Sequence, residues 1–318
     1  MNISAMDVIK NQLSSKITVY LDEGTHYALQ KDCSDFEVKN LSEFTNLLIK
    51  NYVTDFFESI YSAIPAINEV LSGYYGNYAD NAQVSKQIAF IRGISGKTKG
   101  SLSKKLNFRL NKKTINIAIE ALYNGPEKLD ISAFFRSLFL SYLTLPVYKR
   151  EQVIYKDELS KINNAIIKKE KLSYYRKDTG KRHILNPYSV ETSSYEMFNY
   201  LVGQFDYSEK HKTSIRISKI SDIVPIHESA EFTDDFEICL KAMKRNGIQF
   251  AMDEVVLKTV ELNENQYNAY KRKYLDRPAI VSETLTDGIH ICTFDCSDFQ
   301  LETYFAPFDN NIIIPKKV

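Results

Sequence analysis

The sequence predicts an α+β protein whose 318 residues form three different kinds of unit. Residues 1–146 hold a strand-helix-helix pattern that occurs twice. Residues 171–230 hold short strands separated by turn residues, a pattern typical of a small β-barrel. Residues 231–318 begin with a helix and continue in the order βαββαβ, which is the split βαβ arrangement. A helical connector of mixed charge over 147–170 joins the first two units.

The two N-terminal copies each open with a strand, Lys16–Leu21 and Lys105–Leu110. Apolar and polar residues alternate in both strands, so each strand has one apolar and one polar face. Since a lone strand leaves its backbone N–H and C=O groups unpaired, we expect the two strands to pair within one chain as a ribbon. Six side chains share the polar face of that ribbon: Lys16, Thr18, Tyr20, Lys105, Asn107 and Arg109.

Two predicted helices follow each strand, and the second helix of each copy is preceded by a good N-cap residue, Asn40 or Asp130. The repeat resembles the ribbon-helix-helix family of nucleic-acid binders, which normally builds its ribbon from two chains. The resemblance implies a fused, intramolecular pair, with a ribbon that fits the major groove of duplex DNA. The alternative is two ordinary helical hairpins that each carry a strand.

Charge is distributed unevenly along the chain, although the formal net charge is only +1. Residues 81–119 hold nine Lys or Arg and no Asp or Glu, and they include a basic loop over 93–105 and the second ribbon strand. Such asymmetry is typical of a surface that binds polyanions. Because the basic run coincides with the ribbon strand, we expect a nucleic-acid partner. A solvated basic face is the alternative.

The central strands resemble the WYL-domain family, whose barrel is Sm/SH3-like. The matching pieces stand in the family's order: Tyr174, the cluster Lys181-Arg182-His183 before Pro187, the triplet Asn199-Tyr200-Leu201, and the segment 214–220. Asn199 stands where the family's namesake triplet has Trp, and Lys219 stands where the family commonly has a second Arg. The resemblance implies a pocket for nucleic acid or a nucleotide-like ligand, formed next to Lys181 by Arg182, His183, Tyr200, Arg216 and Lys219.

The chemistry of these residues favours the same function. Arg216 lies on the polar side of an alternating strand, and Lys219 follows it closely. Cations beside an aromatic ring are the minimal set for binding a phosphate and a stacked base. For Tyr200 two interpretations are equally open, a stacking platform or a core residue with its hydroxyl at the surface.

The C-terminal unit has the element order of an RNA-recognition domain. Such a domain needs a central strand rich in Gly and aromatic residues, whereas the strand at 289–294 has one aromatic residue, so we reject that alternative. WYL proteins often carry a C-terminal extension of this kind that helps them to dimerise. The resemblance therefore implies a homodimer.

No catalytic or metal-binding pattern stands out. The five His residues are isolated, and the four Cys residues are scattered, which suits a reducing cytoplasm. The sequence has no apolar run long enough for a membrane span and no signal-peptide pattern. We expect a cytoplasmic protein that is not an enzyme and that has no metal, cofactor or membrane segment.

Together, the three units resemble the WYL accessory proteins encoded beside type VI-D CRISPR RNA-guided ribonucleases. The resemblance implies a non-enzymatic homodimer that binds single-stranded RNA and modulates the ribonuclease. The alternative is a transcriptional regulator whose ribbon reads duplex DNA while the WYL barrel senses a ligand.

Overall fold

The computed structural model of the chain describes residues 5–75, 81, 84, 85, 88, 101–123, 130–207 and 211–308. Most of the predicted basic loop and the last predicted strand, at 312–314, lie outside these residues. The chain divides into two compact units, 1–156 and 157–318. Helices and strands occur in both, so the fold is mixed α and β. Among the described helices, none combines the length and the apolar character that a bilayer crossing requires.

In its described residues the first unit is mainly helical, with two short strands far apart in sequence. Its elements are, in chain order, α1 (Ala5–Ser14), β1 (Ile17–Leu21), α2 (Glu23–Asp35), α3 (Leu41–Tyr61), α4 (Ile64–Tyr75), β2 (Lys104–Phe108), α5 (Lys112–Tyr123), α6 (Ile131–Thr144) and α7 (Val147–Ile154).

The strands β1 and β2 pair with each other in antiparallel fashion, which confirms the predicted ribbon within one chain. The register places Val19 opposite Leu106 and Tyr20 opposite Lys105. β1 buries every second residue, and β2 buries Leu106 and Phe108, as the alternating sequences predicted. The strand β2 ends at Phe108 rather than at Leu110, because the backbone of Arg109 bonds to side chains of α3 instead of to β1.

The predicted N-caps are also present. The Asn40 side chain accepts the backbone N–H of Glu43 at 2.9 Å and starts α3. The Asp130 carboxylate accepts the N–H groups of Ser132 and Ala133 and starts α6. Each cap satisfies N–H groups that the first helical turn leaves without an intrahelical acceptor.

An aromatic core lies beneath the ribbon. Phe108 of β2 packs edge-on against Phe135 of α6, with ring centroids 4.9 Å apart. Phe44 of α3 packs in the same way against Tyr142, at 5.7 Å. All four side chains are at most 1% exposed. Burial of such large apolar surfaces is the main stabilising contribution to this unit, and it fixes the ribbon on the helices.

The second unit begins within α8 (Lys156–Lys168). Its elements are, in chain order, β3 (Glu170–Arg176), β4 (Lys181–Thr192), β5 (Asn199–Phe205), β6 (Lys212–Arg216), a 3₁₀ turn (Ile217–Lys219), β7 (Ile220–Ser229), α9 (Phe236–Asn246), β8 (Lys258–Asn263), α10 (Glu264–Arg272), β9 (Ile280–Thr286), β10 (Ile289–Phe294) and α11 (Asp298–Phe305).

Five strands form one antiparallel sheet in the order β6-β5-β4-β3-β7. The sequence predicted a small β-barrel, but among the described residues the sheet does not close, since the edge strands β6 and β7 are not paired with each other. The cause is the 3₁₀ turn between them, which directs β7 away from β6 and across to β3. In chain order β7 is the last strand of this sheet and β3 is the first, and the two are paired.

The C-terminal strands form a second sheet in the order β8-β10-β9, with both pairings antiparallel. The strands β8 and β9 therefore run parallel to each other, with β10 between them. This is the split βαβ arrangement. A core cluster around Val260, Tyr270 and Phe294 covers this sheet. A separate cluster joins α9 to β5 through Met243, Tyr200 and other buried side chains.

Candidate nucleic-acid interfaces

The ribbon presents its six predicted residues on one face. Lys16, Tyr20, Lys105 and Arg109 are exposed, while Thr18 and Asn107 are partly exposed. Thr18 and Asn107 are cross-strand partners, and the Thr18 hydroxyl donates to the Asn107 side-chain oxygen at 2.8 Å. Three cations and a 48% exposed Tyr20 ring surround this polar pair. The face therefore offers phosphate contacts at its margins and hydrogen-bonding groups at its centre.

One amide fixes the second ribbon strand to the helices. The Asn46 side chain, on α3, donates to the backbone oxygen of Arg109 at 2.9 Å and accepts the N–H of Asn111 at 2.9 Å. The Ser42 hydroxyl accepts the N–H of Arg109 at 3.2 Å. Because both backbone groups of Arg109 are bonded to α3, this residue is held at the end of the ribbon face.

In the second unit, the structure places Tyr200 in the core. The residue is 7% exposed and belongs to the cluster that packs against α9. Its hydroxyl donates to the carboxylate of Glu196. Of the two interpretations of Tyr200, the core position is the one that its burial and contacts fit, and its ring faces do not open to solvent.

Arg216 lies opposite Tyr200 in the β5–β6 register. Its guanidinium carbon is 3.2 Å from the centroid of the Phe198 ring, in cation–π geometry. Contact with an aromatic ring restricts the orientation of an arginine side chain. The sequence predicted Tyr200 as the aromatic ring beside the cations. In the structure the ring that contacts Arg216 is that of Phe198.

His183 is partly buried on the same face of the sheet as Tyr174, where it contacts two aromatic rings. It stacks on Tyr174 with centroids 5.8 Å apart and also contacts Phe205 at 5.6 Å. Burial lowers the pKa of His183, and the positive charges of Arg176 and Lys181 lower it further. The side chain therefore favours the neutral imidazole form, which is a packing element of the sheet rather than a cation for phosphate.

A cationic corner, which we define as Arg176, Lys177, Lys181, Arg182 and Lys219, forms where the β3–β4 hairpin meets the 3₁₀ turn. Lys177 donates its backbone N–H to the carbonyl of Lys219 at 2.9 Å and its ammonium to the carbonyl of Ser218 at 2.7 Å. The register places Arg176 opposite Lys181. The Asp178 carboxylate is bonded by Arg176 at 2.8 and 3.0 Å.

The structure therefore brings together only part of the predicted set. Lys181, Arg182 and Lys219 meet at the cationic corner, whereas His183 is partly buried beside Tyr174 and Tyr200 with Arg216 faces α9. Sequence reasoning missed Arg176 and Lys177. The short spacing of the β3–β4 hairpin could have predicted them, because it places the residues just before the turn beside Lys181 and Arg182, which follow it.

Among the described residues, no group of three or more His, Cys, Asp and Glu side chains has the proximity that a metal site needs. The four thiols are all buried, and burial raises the pKa of each of them. Raised thiol pKa values disfavour the nucleophilic thiolate. These cysteines therefore fit a packing role.

Comparison with known proteins gives a fold and no family. No family model matches the sequence, and no curated protein matches it. One solved structure, described as the crystal structure of a CRISPR Cas-related protein, is 18% identical to this chain, with a TM-score of 0.69 over 95% of this chain and 89% of that chain. At this identity the similarity establishes a shared fold alone.

A second solved structure is the proteasome accessory factor B/C (PafBC) of Arthrobacter aurescens. It is 13% identical and covers 67% of this chain and 34% of that chain, at a TM-score of 0.25. That TM-score is too low to indicate a common overall fold.

Proposed function

We propose that this protein is a non-enzymatic accessory protein of a CRISPR system, which binds single-stranded RNA and modulates an RNA-guided ribonuclease of type VI-D. The observation that carries the proposal is the extent of the structural similarity, because the fold shared with the CRISPR Cas-related protein covers 95% of this chain. Similarity over nearly the whole length includes both the first unit, with its ribbon, and the second unit, with its five-stranded sheet. A shared combination of two units is more specific evidence for a related role than either unit alone.

Two features of the fold support the assignment of the units. The intrachain ribbon of β1 and β2, mounted on helices, supports a fused ribbon-helix-helix-like domain. The five-stranded sheet, whose last strand returns to pair with its first, supports a WYL domain with an Sm/SH3-like strand arrangement. The lysine and arginine positions that the WYL resemblance implies converge in part, at the cationic corner.

Charge supports a polyanionic ligand. The cationic corner combines five basic side chains, and the Asp178 carboxylate beside them is bonded to Arg176. Single-stranded RNA offers phosphates together with bases that are free to stack, while the bases of a duplex are stacked on each other. We therefore favour single-stranded RNA over duplex DNA for this unit.

The binding proposal is tested with the purified full-length chain and a fluorescein-labelled single-stranded RNA. Fluorescence anisotropy should show binding that weakens as salt rises, and weaker binding to a duplex DNA of the same sequence. A Lys181→Ala/Lys219→Ala variant should lose affinity. A Lys241→Ala/Lys161→Ala variant, which removes two exposed lysines outside the corner, is the control and should bind like the wild type.

Tighter binding to duplex DNA than to RNA would contradict the proposal. If that duplex binding also disappeared in Lys105→Ala and Arg109→Ala variants, the ribbon would be the main site and the transcriptional regulator would be the better description. Incubation of the protein alone with labelled RNA and Mg²⁺ tests the non-enzymatic part, and the RNA should remain intact.

The accessory role is tested with a type VI-D ribonuclease, its guide and a fluorescent reporter RNA. Addition of the wild-type chain should change the initial cleavage rate, and the Lys181→Ala/Lys219→Ala variant should change it less. An unaltered rate over a range of protein concentrations would contradict modulation. Light scattering of the full-length chain tests the homodimer, for which we expect about twice the monomer mass of 36.7 kDa.

A further inference from the structure

Two adjacent tyrosines of β3 lie on opposite faces of the five-stranded sheet. Tyr174 is fully buried and stacks on His183 inside. Tyr175 is on the outer face and partly exposed, and within the described parts of the chain no aromatic ring stacks on it. The inner face of the sheet is thus filled, while the outer face presents a ring that solvent reaches.

Arg182 is the direct cross-strand neighbour of Tyr175. Its Nη1 donates to the hydroxyl of Ser173 at 3.1 Å and to the backbone carbonyl of Asp222 at 3.2 Å. These two bonds hold the guanidinium over the sheet, across β3 toward β7. Because both use Nη1, the N–H groups of Nε and Nη2 remain for the oxygens of a ligand.

An irregularity in β7 positions one of the two acceptors of Arg182, the backbone carbonyl of Asp222. The β3–β7 register shifts between Ser173 and Tyr175, and Asp222 at this bulge has a φ of 48°. A positive φ is costly for a residue with a side chain, so the surrounding structure must stabilise it. The bulge turns the Asp222 carbonyl toward the guanidinium, and bulges often direct groups at functional sites in this way.

Apolar side chains complete the outer face. Ile184 is 42% exposed and Val224 is 53% exposed, and both lie beside Ser173 in the register. The face therefore combines a ring, a fixed guanidinium and aliphatic surface, which suits a flat apolar base that carries an anionic group. A simple anion would not require the ring or the aliphatic surface.

The two ends of this face differ in the charge of their side chains. One end meets the cationic corner at the β3–β4 hairpin. At the other end Lys171 is bonded by Asp206 and Glu228, each at 3.0 Å, so acidic groups lie there. A strand of negative phosphates would be attracted toward the hairpin end.

From these observations, and given the RNA-binding function proposed above, we infer that the outer face of β4, β3 and β7 is the RNA-binding surface. One base of a single strand stacks on Tyr175, and Arg182 binds the neighbouring phosphate through Nε and Nη2. Only an unpaired base can cover the ring, so the site selects single strands. The occupant is nucleic acid.

The test measures anisotropy with labelled single-stranded RNA and the full-length chain. Tyr175→Ala should weaken binding about 5- to 140-fold, which is the value of one base–aromatic stack converted to an affinity ratio, and Tyr175→Phe should bind within about twofold of the wild type. Tyr274→Ala, at a 70% exposed tyrosine elsewhere in this unit, is the matched control and should have no effect.

Arg182→Ala should weaken binding and reduce the salt dependence by about one phosphate contact. Arg182→Lys should not restore the affinity, because an ammonium cannot form the paired, planar contact. Circular dichroism of each variant must match the wild type. Single-stranded DNA of the same sequence shows whether the ribose 2′-hydroxyl contributes.

A second readout does not depend on affinity. RNA that carries 4-thiouridine is cross-linked by light, and the modified peptide is identified by mass spectrometry. A cross-link in the peptide that contains Tyr175 supports the inference. If the chain binds RNA but Tyr175→Ala binds normally and the cross-link lies elsewhere, the inference is wrong while the proposed function stands. If no single strand binds, both the inference and the proposed function fail.

Discussion

The imidazole ring of His290 lies face to face with the phenol ring of Tyr267, with centroids 3.8 Å apart and planes 12° from parallel. The two ring nitrogens of His290 contact carboxylates on different elements, Glu283 at 2.8 Å and Glu264 at 3.0 Å. The Tyr267 hydroxyl also donates to Glu283, at 2.6 Å. A protonated imidazole can donate to both carboxylates at once, and this joins α10, β9 and β10.

The first prediction concerns the pH dependence of that contact. Glu264 and Glu283 raise the pKa of His290 above its ordinary value of 6.5. His290 lowers the pKa of Glu264 below 4.5, and the hydrogen bonds from Tyr267 and then from His290 lower the pKa of Glu283 below 4.5. Besides these, the Lys271 ammonium lies 4.3 Å from the Tyr267 ring, and Cys292 is close to the same tyrosine. The stabilisation by the imidazolium is complete below pH 6.5 and is lost as pH rises through the raised pKa of His290.

Thermal melting followed by circular dichroism between about pH 5.5 and about pH 9, a range that lies on both sides of the ordinary His pKa, checks this. The melting temperature of the wild type should fall over this range by more than that of His290→Gln, which cannot be protonated. Parallel curves for the two proteins would contradict the prediction. Below pH 4.5 the carboxylates begin to lose their own contribution, since their pKa values are lowered in the folded state.

The sequence was sufficient to predict the ribbon because its signal is local. Alternation in two five-residue strands determines which side chains are buried, and the need to satisfy the backbone makes them pair. The caps Asn40 and Asp130 were predictable for the same reason. Closure of a barrel depends instead on whether its two edge strands pair with each other. That pairing is a tertiary contact, which no local sequence pattern predicts.

The candidate site was only partly predictable. Tyr200 has the same alternation whether its ring packs on a helix or stacks on a base, and α9, which covers it, lies far along the chain. The proximity of Lys177 to Lys219 depends on the pairing of β3 with β7, which is a tertiary contact. Tyr175 was not predicted, because the family resemblance rests on its neighbour Tyr174, which lies on the opposite face of β3.

A second prediction concerns Gly203, in the middle of β5. A Cβ at this position would lie 2.3 Å from the backbone oxygen of Asn186 and 3.0 Å from Leu185. A backbone atom in a paired strand cannot move aside easily, so Gly203→Ala should destabilise the sheet severely. Urea denaturation should show a large loss or no folded protein. Gly73→Ala, where nothing lies within 4 Å, is the control and should be neutral or stabilising by up to about 1 kcal/mol.

A third prediction concerns the buried ion pair between Asp32 and Arg150, at 2.6 Å. The side chains are 4% and 14% exposed. Burial raises the pKa of Asp32, and Arg150 opposes that rise. Arg150→Met should therefore cost about 3–5 kcal/mol at neutral pH, because it leaves a buried carboxylate without its cation.

The pair also gives an internal control for that prediction. Asp32→Asn/Arg150→Met removes both charges and should be more stable than Arg150→Met alone. The difference between wild type and Arg150→Met should shrink as pH falls toward 3.8, the ordinary pKa of Asp, because protonation removes the buried charge. A double variant that is less stable than the single variant at neutral pH would contradict this account.

The last prediction compares two aromatic residues on opposite faces of the ribbon. Phe108 is 1% exposed and packs on Phe135, whereas Tyr20 is 48% exposed on the polar face. Phe108→Ala should lower the free energy of unfolding by about 3–5 kcal/mol, since it opens a cavity under the ribbon. Tyr20→Ala should change it by no more than about 0.5 kcal/mol, as is usual for surface positions. Urea denaturation of both variants gives the two values, and a large loss in Tyr20→Ala with a small one in Phe108→Ala would mean that the ribbon faces the other way.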